Sequence, residues 1–88
     1  MASAYDRVVA QRALTEFRTK RRSATRDMVA ELCRALGYEI DKKRGKGSHW
    51  VAKRARALPI TIPKVLGLRI ATGILRTLEE VFDQDGTN

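Results

Sequence analysis

The spacing of apolar residues changes twice along this 88-residue chain, and that change restricts the possible folds more than any other feature. From Tyr5 to Leu36 apolar residues recur every three or four positions, which is the period of an amphipathic helix. From Tyr38 to Ile62 they alternate with other residues in short runs, as in strands that bury one face. The helical period returns from Ala71 onward. The pattern predicts helix, helix, strand, strand, strand, helix.

The bounds of the first two helices follow from local signals. Ser3 with Asp6 resembles a capping box, which predicts a first helix over about 4–19. The second helix is predicted over about 25–36, with Gly37 as the residue that ends it.

Three short antiparallel strands are predicted over 38–41, 48–53 and 58–62. Because proline has no N–H to donate, Pro59 predicts that the third strand lies at an edge of the sheet. The last helix is predicted to begin at Ala71 or Thr72, and 83–88 to form a frayed tail. The predicted fold class is α+β, a three-stranded antiparallel sheet with helices on one face and the other face open to solvent.

Length and composition restrict the class of protein. A chain of 88 residues allows one small core and one domain. The single cysteine, Cys33, excludes an internal disulfide and a cysteine-based metal cluster, and its helical setting predicts a buried side chain. Charged residues interrupt the N-terminal apolar run, and no stretch reaches the roughly 18 apolar residues of a membrane span. These features predict a soluble, cytoplasmic protein without a membrane partner.

Positive charge is concentrated in the middle of the chain. The formal net charge is +8, but residues 42–78 contain ten Lys and Arg and no acid, a net charge of +10. A solvated face ordinarily mixes both signs, so this segment predicts a polyanionic partner, RNA or DNA rather than an anionic membrane. The candidate nucleic-acid-binding residues are Lys42, Lys43, Arg44, Lys46, Ser48, Lys53, Arg54, Arg56 and Lys64. A second basic run at 18–22 is compatible either with a solvated helix end or with an auxiliary phosphate contact.

His49 is the only histidine, and it lies inside the basic segment. Imidazole is the side chain that most readily accepts and donates a proton near neutral pH. Among phosphate-binding cations it predicts chemistry on a nucleic-acid backbone, although a binding patch could use it as one more hydrogen-bond donor. Gly45 and Gly47 lie just before it and would let backbone amides approach an anion, although a plain hairpin loop has the same composition.

Adjacent residues of a strand face opposite sides of a sheet. Trp50 is the largest apolar side chain and is predicted to face the helices, so His49 faces the open side. If Trp50 is the central core residue of both hairpins, Asp41 and Thr61 lie opposite His49 as possible partners. A shift by two residues would bring Glu39 there instead.

Four segments of the chain carry a family resemblance. They are Leu36-Gly37-Tyr38, Gly47-Ser48-His49, Ile60-Thr61-Ile62-Pro63 and Gly73-Ile74-Leu75-Arg76-Thr77-Leu78. In this order and spacing, the chain from Arg26 to Phe82 resembles the HicA family of toxin ribonucleases, whose fold is similar to a double-stranded-RNA-binding domain. On this resemblance the chain divides into an N-terminal helical extension at 1–22 and a HicA-like domain at 23–88.

The resemblance implies that His49 is the catalytic histidine of a metal-independent endoribonuclease that cleaves mRNA and uses no cofactor. It also implies a type II toxin–antitoxin pair, with a HicB-type protein that neutralises the toxin. The ribose 2′-OH would attack the adjacent phosphate while His49 moves the proton. The cations that would hold the phosphate are Lys42, Lys46, Lys53 or Arg54. Lys64 follows Pro63 where many members of the family carry a second histidine.

Two other functions are compatible with the same residues. One is an RNA-binding module without catalysis, which would need the basic surface but not the histidine. The other is a protein-interaction subunit whose basic surface binds an acidic partner. The N-terminal helix is likewise open to three roles, which are packing on the core, formation of a homodimer and contact with the partner.

Overall fold

The predicted order of elements is present in the computed structural model, which describes residues 5–42 and 49–87. The elements are α1 (Arg7–Thr19), a 3₁₀ turn (Arg21–Ser23), α2 (Arg26–Ala35), β1 (Glu39–Asp41), β2 (Trp50–Lys53), β3 (Ile60–Ile62) and α3 (Leu68–Asp85). The strands form one antiparallel sheet in the order β1-β2-β3, so β3 lies at an edge as Pro59 predicts. The described residues therefore form a small α+β domain.

The strand register differs by two residues from the predicted one. Ala52, rather than Trp50, lies opposite Ile40 on β1 and Ile60 on β3. Ala52 is fully buried, and its small side chain fits where the helices cover the middle of the sheet. The larger Trp50 lies at the start of β2 and is only partly buried. Because strand side chains alternate with a period of two, a shift of two residues leaves each of them on its predicted face.

The core lies between the sheet and the helices, and α1 contributes to it. Its buried members are Ala10, Leu14, Phe17, Val29, Leu32, Cys33, Leu36, Tyr38, Ala52, Ile60, Ile62, Ala71, Ile74, Leu75, Leu78 and Phe82. The first three come from α1 at helical spacing. Of the three roles open to the N-terminal helix, packing on the core is therefore observed. Cys33 is fully buried, as predicted.

Polar side chains set the beginnings of α1 and α2. Asp6 caps α1, since its Oδ1 accepts hydrogen bonds from the N–H groups of Val8 at 2.9 Å and Val9 at 3.3 Å. The helix therefore begins after Asp6 and not before it, and Ser3, the predicted cap, lies outside the described residues. Thr25 caps α2 by accepting a hydrogen bond from the N–H group three residues later, at 3.2 Å.

The last helix is longer than predicted at both ends. It begins at Leu68 and continues to Asp85, within the segment 83–88 that was predicted to be frayed. The carboxylate of Asp85 binds Arg54 and the hydroxyl of Tyr5, so contacts with distant parts of the chain hold the last turn. Neither α3 nor any other helix among the described residues is long and apolar enough to cross a membrane.

The third strand is shorter than predicted. It begins at Ile60, and Leu58 is 86% exposed. The chain before it turns sharply, with a φ of +65° at Arg56 and a hydrogen bond from Ala57 N to Arg54 O at 3.2 Å. The alternating apolar pattern therefore begins in the turn, before the first residue of β3 that pairs in the sheet.

Candidate nucleic-acid interface

His49 lies directly before β2 and is exposed, as predicted. Trp50 begins the strand and packs against the core. Strand alternation then puts His49 on the outer face of the sheet together with Val51 and the exposed Thr61. The imidazole is accessible to a ligand that lies on this face.

The predicted cross-strand partners of His49 lie further along the ladder. Asp41 and Thr61 are both opposite Val51, so the predicted register, which put them opposite His49, is wrong. Glu39, the alternative partner, lies further away still. In a regular ladder the backbones of diagonal neighbours are about 7–8 Å apart, a distance that long side chains can bridge. Asp41 and Thr61 share the outer face with His49 as its diagonal neighbours.

The predicted phosphate-binding residues divide between the two ends of the sheet. Lys42 follows β1 and Lys64 follows β3, and both are exposed at the end where β2 begins. We call this end, which contains His49, Lys42 and Lys64, the histidine end. At the opposite end of β2 are Lys53, Arg54 and Arg56. A rise of about 3.3 Å per residue separates His49 from the last residue of β2 by roughly 13 Å. Lys43, Arg44, Lys46 and Ser48 lie outside the described residues.

Two of the predicted cations at the opposite end already have partners within the chain. The Arg54 guanidinium donates hydrogen bonds to Leu36 O at 3.2 Å and to Asp85 Oδ1 at 2.6 Å, and its side chain is only 22% exposed. The bond with Asp85 raises the pKa of Arg54, although burial acts in the opposite direction. Lys53 Nζ lies 3.7 Å from Asp41 Oδ2. Arg54 thus has a structural role that the sequence analysis did not anticipate.

A cation that was not predicted joins the histidine end. Arg26, the first residue of α2, lies over the indole of Trp50, with its Cζ 3.9 Å from the ring centroid. Lys42 Nζ is 4.4 Å from the same centroid. The face of an indole ring attracts cations, so Trp50 holds two positive side chains at the histidine end of the sheet. The cap at Thr25 indicates that Arg26 begins a helix, but no local pattern places it over a residue so distant in sequence.

The histidine end has the groups that phosphate chemistry requires. Arg26 has a planar guanidinium, a group whose shape matches phosphoryl oxygens, and Lys42 adds a compact positive charge. Cations placed beside a phosphate stabilise the negative charge that develops on it during displacement. His49 can take a proton from an attacking hydroxyl or give one to a leaving group.

The described residues supply fewer groups for thiol or metal chemistry. Burial raises the pKa of Cys33 to about 12, so the thiol stays protonated and is not a nucleophile. Within residues 5–42 and 49–87, no group of three or more His, Cys, Asp and Glu side chains could hold a metal ion.

Comparisons with known proteins were made for the whole chain. No protein-family model matches it, and neither does any curated protein or solved structure. The functional proposal therefore depends on the residues of the histidine end.

Proposed function

We propose that this chain is an RNA-cleaving toxin of the HicA type, with a fold similar to a double-stranded-RNA-binding domain, and that His49 is its catalytic residue. The observation that carries the proposal is an exposed histidine at the end of the sheet where two cations, Arg26 and Lys42, lie over the Trp50 ring. The absence of acids from 42–78 supports RNA as the ligand. The four sequence segments that resemble the family support this particular class.

The proposed reaction is a transfer of the phosphate within the RNA. His49 removes the proton from a ribose 2′-OH, and the 2′ oxygen attacks the adjacent phosphorus. The new bond joins the 2′ oxygen to phosphorus, and the bond from phosphorus to the 5′ oxygen breaks. The leaving oxygen takes a proton from the imidazolium or from water. Arg26 and Lys42 offset the extra charge on the phosphoryl oxygens, and the products are a 2′,3′-cyclic phosphate and a 5′-hydroxyl.

The proposed partners are mRNA and a HicB-type antitoxin. A toxin that cleaves messages must be kept inactive until it is needed, and a protein that covers the histidine end would do this by excluding RNA. An acidic surface on that protein would complement the basic segment of the toxin.

One observation favours a second candidate, an RNA-binding module without catalysis. Neither Asp41 nor Thr61 lies opposite His49, so the register gives the imidazole no directly opposed acid or hydroxyl among the described residues. Cations stacked on a tryptophan are equally suited to simple binding of a phosphate backbone.

Induced expression in bacteria separates the two candidates. Wild type is expected to arrest growth and degrade transcripts, and co-expression of the antitoxin should reverse both effects. His49→Ala is expected to do neither, because the proton-transfer group is gone, while the protein remains folded because His49 is exposed. Growth and transcript integrity are followed after induction.

Thr61→Val is the matched control. It changes an exposed residue of the same face that lies opposite Val51, so growth arrest should persist. The nuclease proposal would be contradicted if His49→Ala caused the same growth arrest and transcript loss as wild type. A wild type that binds RNA but leaves growth and transcripts intact would favour the binding module.

A further inference from the structure

A cavity of about 190 Å³ lies between the 3₁₀ turn and the first turn of α3. It is lined by Arg18, Thr19, Arg21, Arg22, Leu68 and Thr72, and we call it the arginine cavity. Its volume is several times the roughly 30 Å³ that one water molecule occupies in the liquid, so a phosphate group with its solvent can enter it. The reaction proposed for His49 does not use any of these residues.

The lining of the arginine cavity is basic and includes no acid. Arg18 is already paired with Glu79. Arg21 uses its Nε to donate to Arg18 O at 3.1 Å, which fixes the side chain and leaves the two Nη groups as donors. Arg22 is exposed and forms no ion pair among the described residues. Two guanidinium groups therefore remain for an anion, and guanidinium binds phosphate oxygens in pairs.

The end of α1 accounts for only part of this arrangement, through the Nε of Arg21 that donates to Arg18 O. Cations stabilise the C-terminus of the helix that carries them. Arg21 and Arg22, however, follow the end of α1 and line a cavity with the first turn of α3. That end of α3 has a partial positive charge, and its cap, Gly67, supplies no side-chain acceptor. Cations in this place repel one another and the helix end, and an anion would relieve the repulsion.

The topology places the arginine cavity at the histidine end. α3 begins after β3, which finishes at that end of the sheet, and the 3₁₀ turn packs on α3. Arg26 follows Arg22 by four positions, so their Cα atoms are at most about 14 Å apart. Arg26 lies over Trp50 at the histidine end. At 3.4 Å per nucleotide, at most about four nucleotides of stacked strand cover the distance from Arg26 to Arg22.

We propose that the arginine cavity binds a backbone phosphate of the RNA strand that lies at His49, within about four nucleotides of the phosphate at Arg26. The ligand class is a phosphodiester of a single strand. The inference rests on the RNA-binding part of the proposed function but not on catalysis. Binding of RNA should then depend on the length of the strand, since a short strand cannot reach both the arginine cavity and the site at His49.

Binding of fluorescent 2′-O-methyl RNA tests the inference, because such RNA has no 2′-OH and stays intact. Anisotropy titrations compare a 12-nucleotide strand with a 2-nucleotide strand at several salt concentrations. Arg21→Gln with Arg22→Gln should weaken binding of the longer strand about tenfold and reduce the salt slope by one to two phosphate contacts. The shorter strand should bind the variant almost as well as it binds wild type.

Arg12→Gln with Arg34→Gln is the matched control, since it removes the same charge from two exposed residues outside the cavity. It should change the binding of the longer strand by less than about twofold. Arg21→Lys with Arg22→Lys should restore most of the salt slope. Thermal unfolding of each variant checks that the fold is retained.

The inference is overturned if the cavity variant and the control variant weaken the longer strand equally, or if the cavity variant weakens both strands equally. If wild type binds the 12-nucleotide strand but cleaves no RNA, the nuclease proposal fails. The comparison of the cavity variant with the control variant still tests the arginine cavity. If wild type binds no RNA even at low salt, both proposals fail.

Discussion

Asp85 connects the two ends of the described chain. Its side chain is only 16% exposed, and its carboxylate accepts hydrogen bonds from the Tyr5 hydroxyl and from Arg54 Nη2, the latter at 2.6 Å. Burial raises the pKa of Asp85, but the hydrogen bonds from Arg54 and Tyr5 outweigh this effect and hold it below its ordinary value of 3.8. A carboxyl group whose pKa is lowered by folding stabilises the folded state at pH values above its unfolded pKa. This contribution is lost as the pH falls through the folded pKa.

Asp85→Asn is therefore expected to lower the free energy of unfolding at pH 7 by roughly 1–3 kcal/mol, because it leaves a partly buried guanidinium without its charged partner. The difference from wild type should shrink as the pH falls below about 4, where wild type loses the charge as well. Urea unfolding between pH 7 and pH 2.5 measures this.

Asp83→Asn, at an exposed position two residues earlier, should stay within about 0.5 kcal/mol of wild type at pH 7. A difference between Asp85→Asn and wild type that is independent of pH would show that the charge of Asp85 does not stabilise the fold.

At the scale of residues, exposure was easier to predict than partners. The outward position of His49 and the burial of Cys33 follow from strand alternation and helical spacing, which depend only on neighbouring residues. The residues across the sheet from His49 depend on which side chain fits beneath the helices. The size of Trp50 gave the wrong answer there, because the centre of the sheet accommodates Ala52.

At the scale of elements, the end of α2 depends on one glycine. Gly37 has a φ of +86°, and the backbone closes with hydrogen bonds from Gly37 N to Arg34 O and from Tyr38 N to Cys33 O, each at 3.0 Å. This is a Schellman arrangement, which requires a left-handed residue. A Cβ at position 37 would also lie 3.3 Å from Cδ2 of Tyr5. The sequence prediction that Gly37 ends the helix is confirmed.

Gly37→Ala is expected to lower the free energy of unfolding by about 1 kcal/mol or more, since alanine is strained at a positive φ. Gly73→Ala offers the opposite case within α3, where a Cβ meets nothing within 4 Å. It should raise the free energy of unfolding by about 0.5–1 kcal/mol. Urea titrations of both variants measure the two changes. If both substitutions moved the unfolding midpoint in the same direction, this explanation of the helix end would be wrong.

Element bounds were predictable where local chemistry sets them. Thr25 and Gly37 act on their own helix, so α2 was placed within a residue or so at each end. The beginning of α3 was missed because Gly67 gives no capping side chain as a signal. Its last turn was missed because it is held by Arg54, which lies far away in sequence.

At the scale of the whole molecule, the antiparallel topology gathers distant segments at the histidine end. The chain leaves β1, enters β2, leaves β3 and begins α3 there, and Arg26 at the start of α2 reaches the same place. The charge pattern predicted the cations at Lys42 and Lys64. It could not show that Arg26 joins them or that Arg54 pairs with Asp85, because both contacts arise only when the helices pack on the sheet.

The central claim is that His49 moves the proton in an RNA cleavage that proceeds through the 2′-OH. The most direct test is the single-turnover cleavage rate of a defined RNA by purified protein in the presence of EDTA, with analysis of the product ends. Wild type should give 2′,3′-cyclic phosphate and 5′-hydroxyl ends. His49→Ala should be slower by at least about 100-fold while its Kd for uncleavable RNA changes by less than about twofold. Cleavage by His49→Ala at the wild-type rate would contradict the account.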